Sequence, residues 1–167
     1  MPYLQAVYWD LDGTIANTEL EAHLPAFNNS FEDLSLDWYW DKKTYLDLLK
    51  INGGRNRISF FAKQKSVDIS EEFVIQIHKK KQEHYLNLVS SGVVSLKIGV
   101  NRLIKELSFK NVRQFIVTSS SRNQVELLVS KLFKDKNLFE FFITSDDVKS
   151  LKPDPMPFLK AIELSGI

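Results

Sequence analysis

The hydrophobic pattern along the chain switches repeatedly between a period of two and a period near 3.6. Leu4-Gln5-Ala6-Val7-Tyr8-Trp9 is a short β-prone run that predicts a mostly buried strand. It ends abruptly in the polar turn Asp10-Leu11-Asp12-Gly13-Thr14. Over residues 18–34, Leu20, Leu24, Phe27 and Phe31 fall near helical spacing, with Thr18 as N-cap and Pro25 as an obstacle that divides or kinks the helix. Helical patterns follow at 42–51 and 55–63, separated by Asn52-Gly53-Gly54, which reads as a helix stop and tight loop. Residues 70–88 predict the longest helix and 99–107 another. A second strand is predicted over 112–117, a helix over 122–133 and a third strand over 139–143. Leu151-Lys152-Pro153-Asp154-Pro155 then opens a last helix.

Strands alternating with helices predict an α/β fold, a three-layer, Rossmann-like core around a parallel sheet. About a hundred residues separate the first strand from the second, far more than an ordinary crossover needs, and they read as helical throughout. Residues 17–90 are therefore expected to form an inserted helical subdomain, and 1–16 with 91–167 the α/β core. Three strand ends carry polar clusters: DLDGT, TSSS and TSDD, with LKPDP just beyond. Ligands of open parallel sheets bind beyond the carboxyl ends of the strands, so these clusters should converge on one site.

Composition narrows the function. Hydrophobic residues make up 44% and aromatic residues 12% of the chain, enough for a packed core. Lys plus Arg number 22 against 21 Asp plus Glu, so no basic excess points to a nucleic acid. The absence of cysteine removes disulfides, thiolate nucleophiles and zinc–thiolate sites. No apolar run reaches the roughly 20 residues a bilayer requires. Met1-Pro2-Tyr3-Leu4-Gln5 resembles neither a signal nor a transit peptide. A cytoplasmic protein with no nucleic-acid or membrane partner is expected.

Asp10 and Asp12 lie two apart, so a strand would present both carboxylates on one face. Held close, like charges need a cation or a raised pKa, and Mg²⁺ is the natural oxygen-seeking counterion. One carboxylate can then serve as nucleophile and the other as general acid and base. Asp and Gly are also common in solvated turns. The preceding hydrophobic strand and the following Gly-Thr favour the functional reading. Thr118-Ser119-Ser120-Ser121 offers hydroxyls and backbone N–H groups at a helix start, suited to a phosphate, although a single Ser would satisfy ordinary capping. Lys152 adds a cation able to neutralise a carboxylate and a phosphoryl group together.

DLDGT at 10–14, a Thr or Ser after the second strand, and Lys152 in KPDP resemble the first three motifs of the haloacid dehalogenase-like hydrolases. That resemblance implies Asp10 as a nucleophile that becomes an aspartyl phosphate, Asp12 as acid and base, and Mg²⁺ on the Asp10 carboxylate and the Asp12 backbone carbonyl. Ser119 is the preferred phosphate-binding hydroxyl, with Thr118 its rival, because Ser119-Ser120-Ser121-Arg122-Asn123 resembles the Ser-x-Ser-Lys-Asn run of the sugar-phosphate mutase branch. Ser120, Ser121 and Asn123 join the phosphate-binding candidates. The insertion is similar to a helical cap, and 36–55 resembles the CbbY subgroup, which hydrolyses phosphorylated sugars, notably xylulose 1,5-bisphosphate. Glu19 would then meet substrate hydroxyls. Asn52, Gly53, Gly54, Arg55 and Asn56, with His78 and Lys81, would meet a distal phosphate. Trp38, Tyr39 and Trp40 are equally compatible with cap core, and 78–81 with a basic helix face.

The family's fourth motif, an acidic pair completing the Mg²⁺ site, belongs roughly two dozen residues after Lys152, past Ile167. Asp146 and Asp147 are tempting substitutes, but they precede Lys152 and suit loop or capping roles better. Without later strands the first strand becomes a sheet edge, open to self-association. Three readings stay open: a sugar-phosphate phosphatase, a phosphosugar mutase on the same scaffold, and an inactive remnant or fragment.

Overall fold

The computed structural model describes residues 4–135 and 137–167; the first three residues of the N-terminal segment considered above lie outside them. The chain forms two compact units, residues 1–18 with 92–167, and residues 19–91.

In the first unit, three parallel strands, β1 (Ala6–Trp9), β2 (Arg113–Val117) and β3 (Phe142–Ile143), lie in the order β1-β2-β3. Tyr8 is in register with Phe115, and Ile116 with Phe142. β2 is central, and its last three residues are apolar for that reason: Phe115, Ile116 and Val117 are fully buried. The one polar residue in its middle, Gln114, is buried but fully engaged. It donates to the Ile104 carbonyl (3.0 Å) and to Ser108 Oγ (2.9 Å), and accepts from Trp9 Nε1 (3.0 Å). The third strand is shorter than the predicted 139–143. Pairing does extend upstream, since Glu140 N–H donates to the Gln114 carbonyl at 2.9 Å, but only the last two residues adopt regular strand geometry. Arg113 holds Glu140 through two hydrogen bonds of 2.7 and 2.6 Å, tying this irregular stretch to β2.

The second unit is wholly helical. A π-helical segment, Glu19–His23, runs into α1 (Leu24–Asp33), followed by α2 (Lys42–Leu48), α3 (Gly54–Gln64) and α4 (Glu71–Ser91). The helical stretch expected over 18–34 is divided, as the obstacle at Pro25 foreshadowed, and Pro25 supplies the reason. It has no N–H to give to the carbonyl one turn back, and the backbone widens to i→i+5 bonding just before it. The core is aromatic: Phe27, Phe31, Trp40 and Tyr45 are completely or almost completely buried, and Trp38 packs edge-on to Phe31 and Phe61. Trp38 and Trp40 are therefore core residues, while Tyr39 between them points to solvent.

The remaining helices belong to the first unit: α5 (Val100–Phe109), α6 (Arg122–Leu132) and α7 (Met156–Ser165). α7 packs on β2 and β3, and its Ser165 Oγ lies 2.7 Å from Tyr8 Oη. No helix among the described residues is long and apolar enough to cross a membrane.

Candidate active site

β1 ends at Trp9, and the chain turns at once. Thr14, Ile15 and Ala16 direct their N–H groups at the Leu11 carbonyl, and Leu11 and Ile15 are fully buried beneath the turn. This anchored loop fixes Asp10 and Asp12 at the carboxyl end of the strand. Thr14 Oγ1 donates to Asp10 Oδ2 at 2.7 Å, and Lys152 Nζ donates to Asp10 Oδ1. The same ammonium reaches the Val117 carbonyl at 3.1 Å, where β2 ends. Asp12 Oδ2 accepts from Ser120 Oγ at 2.6 Å. Residues from three separate stretches of sequence therefore meet at the carboxyl end of the sheet, where parallel-sheet proteins build their ligand sites.

The Thr-Ser-Ser-Ser segment divides its labour. Thr118 is buried and its Oγ1 accepts from Ser120 N–H at 3.2 Å, whereas Ser119 is exposed. Ser121 precedes α6 and bonds Gln124 Oε1 through its N–H (3.3 Å) and its hydroxyl (3.1 Å). Asn123 is exposed in the first turn of α6.

Asp146 and Asp147 are committed elsewhere. Asp147 Oδ2 accepts from the Thr144 N–H (2.8 Å), the Thr144 hydroxyl (2.7 Å) and Arg122 Nη2 (2.7 Å). Asp146 Oδ2 accepts from the Arg122 N–H at 2.9 Å. Partial burial pushes the Asp147 carboxyl up, but the hydrogen bonds from Thr144 and Arg122 outweigh it and hold the group below the usual carboxylate range. Both acids thus cap the turn after β3 and the start of α6.

The donor set at the strand end is two carboxylates with backbone carbonyls and no sulfur or imidazole. Such hard oxygen donors suit Mg²⁺, which takes one or two carboxylates and completes its shell with water and substrate phosphate. Among the described residues no group of three or more acidic or histidine side chains forms a ready-made metal cage.

The candidates in the helical unit form a second cluster. Tyr45 Oη donates to Glu19 Oε2. Lys81 is only 4% exposed; its ammonium lies 2.7 Å from His23 Nδ1 and over the rings of Phe27 and Tyr85, at 5.1 and 5.0 Å from their centroids. Gly53, with φ of +86°, makes the turn into α3, and Asn56 Nδ2 caps it by donating to the Asn52 carbonyl at 2.8 Å. Gly54 lies against His78, and Arg55 is exposed at the start of α3. Burial, then the positive charges of Lys81, Arg55, His23 and Arg57, push the His78 imidazole down to about 4.

Sequence reasoning missed Thr14, His23 and Tyr45 as partners of site residues. Thr14 had a signal, a hydroxyl one turn beyond Asp10 in a Gly-containing loop. His23 and Tyr45 had none, because their partners lie 58 and 26 positions away.

Residues 7–167 match the profile of the haloacid dehalogenase-like hydrolases. The chain is 34% identical over 166 residues to protein CbbY of Rhodobacter capsulatus, covering 98% of this chain and 73% of the relative. It is 34% identical over 154 residues to protein CbbY of Cereibacter sphaeroides, covering 91% and 66%. CbbY from Rhodobacter sphaeroides, solved in complex with phosphate, superposes with a TM-score of 0.85 at 32% identity, covering 99% of this chain and 74% of that one. A mutant of that protein was solved in complex with xylulose-(1,5)bisphosphate, with the same TM-score of 0.85 at 31% identity and the same coverage. The chain spans about two thirds to three quarters of the length of these relatives. It belongs to the haloacid dehalogenase-like hydrolases. Within them it is similar to the CbbY proteins, and it is an enzyme of the phosphatase kind.

Proposed function

We propose that the chain is a Mg²⁺-dependent phosphatase of small sugar phosphates or bisphosphates, with xylulose 1,5-bisphosphate as the reference substrate, working in the cytoplasm. The observation that carries this reading is the joint placement of Asp10, Asp12 and Lys152 at the carboxyl end of β1, with Ser119 exposed on the loop after β2. An Asp10 carboxylate oxygen attacks phosphorus while Asp12 gives a proton to the departing sugar oxygen. Water then attacks the aspartyl phosphate, Asp12 takes its proton, and free phosphate and the Asp10 carboxylate are regenerated. Lys152 and the Ser119 hydroxyl hold the phosphoryl oxygens; Ser119 is preferred over Thr118 because the latter is buried and bonded to Ser120. Mg²⁺, held by the Asp10 carboxylate and the Asp12 backbone carbonyl, would supply positive charge against those oxygens.

The helical unit, residues 19–91, serves in this reading as the substrate-selecting cap. Arg55, Asn52, Asn56 and the Gly53-Gly54 backbone meet the second phosphate of a bisphosphate, and Glu19 the sugar hydroxyls. His78 and Lys81 act behind them, since Lys81 is buried against His23 and the aromatic rings.

The test is release of inorganic phosphate from xylulose 1,5-bisphosphate, with Mg²⁺ or with a chelator, by the wild-type chain and Asp10→Asn. Release that requires Mg²⁺ and is lost in the variant supports the reading; isomerised sugar phosphate in place of free phosphate would favour a mutase. A second reading is a phosphosugar-binding protein without turnover. Bisphosphate binding by calorimetry with no product of either kind would select it.

A further inference from the structure

We propose that Ser120 is a positioning residue for Asp12 and not a ligand of the phosphate, an assignment that rests on the acid–base reading of Asp12. Every polar group of Ser120 is engaged by the protein. Its hydroxyl donates to Asp12 Oδ2 at 2.6 Å, its N–H donates to Thr118 Oγ1 at 3.2 Å, and its carbonyl accepts from Ser145 N–H at 2.9 Å. The last two bonds pin Ser120 to the end of β2 and to the turn after β3. The first transmits that rigidity across 108 positions of sequence to Asp12.

The consequence is chemical as well as geometric. A carboxyl group has two oxygens, and a hydroxyl held against Oδ2 makes them inequivalent. Oδ2 accepts from Ser120, which sets it apart from Oδ1 in a proton transfer. The Asp12 plane is also fixed, and proton transfer needs the donor oxygen within hydrogen-bond reach of the leaving oxygen. A serine that served as a phosphate ligand would keep its hydroxyl available, as exposed Ser119 can in the proposed reading. Asp10 is held in the same manner by a different hydroxyl, that of Thr14 at 2.7 Å, so each carboxylate has its own anchoring residue.

Two measurements test the role. Three-bond NMR couplings report the Asp12 χ1 rotamer without any turnover. A single rotamer is expected in the wild type and in Ser120→Thr, and averaging over rotamers in Ser120→Ala, with Asp10 unchanged throughout. Retention of one Asp12 rotamer in Ser120→Ala would overturn the proposal. In turnover, Ser120→Ala should lower kcat on an alkyl phosphate by about ten- to a hundredfold at little-changed KM. The loss should be several-fold smaller on p-nitrophenyl phosphate, whose leaving group needs little protonation, and Ser120→Thr should recover most of it. A raised KM at unchanged kcat would instead make Ser120 a phosphate ligand. The two readings fail separately. Full turnover in Asp12→Asn removes the acid–base role, whereas lost turnover there with an undisturbed Asp12 rotamer in Ser120→Ala removes only the role of Ser120.

Discussion

Lys152 is bonded at once to Asp10 and to the Val117 carbonyl, 3.1 Å away, so one ammonium bridges the ends of β1 and β2. Its charge stands against the group proposed as nucleophile, on an oxygen other than the one Thr14 engages. Replacing Asp10 by Asn removes the proposed nucleophile, a charge partner of Lys152 and a proposed metal ligand together. Turnover should fall by at least about a thousandfold. Steady-state phosphate release decides it, and near-normal rates in Asp10→Asn would remove the assignment.

Asp12→Asn should separate binding from chemistry. The side-chain amide still accepts from Ser120 through its oxygen, so the loop keeps its shape and phosphate binding is spared. Leaving-group protonation and hydrolysis should both slow, typically by about 10²–10⁴. Single-turnover kinetics resolve the two steps. Small and equal losses in both would count against the acid–base role.

Arg55 should discriminate between substrates. In the proposed reading Arg55→Ala removes a charge-assisted contact to a second phosphate worth roughly 1.5–3 kcal/mol, about 10- to 150-fold in affinity. A bisphosphate should therefore weaken far more than a monophosphate in calorimetric titration. Identical losses for both ligands would mark Arg55 as structural.

His78 makes the helical unit sensitive to acid. Its folded value of about 4 lies below the ordinary 6.5, so the unfolded chain binds the proton more readily. The associated stability is complete above pH 6.5 and is lost as pH falls toward 4. The slope across that window approaches about 1.4 kcal/mol per pH unit. Urea midpoints at pH 7 and pH 5 should differ more for the wild type than for His78→Gln. Equal pH sensitivity would show that His78 is not the group responsible.

Gly54 reports on the same contact. A Cβ at this position would come within 2.8 Å of His78 Cδ2 and Nε2, and 3.4 Å of Phe27 Cζ. Alanine in a helix interior is ordinarily better than glycine by about 1 kcal/mol, with less to gain at a first turn. The clash should dominate, and Gly54→Ala should lose about 1–3 kcal/mol in urea unfolding. A stabilised variant would show that the imidazole moves aside freely.

The order of strands and helices and the end of β1 at Asp10 were legible in the sequence. Each follows from local periodicity and from where Gly and polar residues interrupt it, as at Asn52-Gly53-Gly54 and DLDGT. The split of the first helix was half legible: Pro25 marked the obstacle, but not the π-helical form the chain takes ahead of it. The length of β3 was not legible, since pairing of an edge strand is set by its neighbour.

Partnership within the site was decided by tertiary structure alone. Lys152 with Asp10, Ser120 with Asp12, and His23 with Lys81 join residues 142, 108 and 58 positions apart. Nothing local distinguishes Ser120 from Ser119, or Lys81 from the neighbouring lysines of α4. Sequence sets which chemistry is available at a strand end or helix face, because periodicity places residues on faces. Only the packing of one element on another sets which hydroxyl touches which carboxylate and which lysine is buried, because those choices depend on distances across the fold.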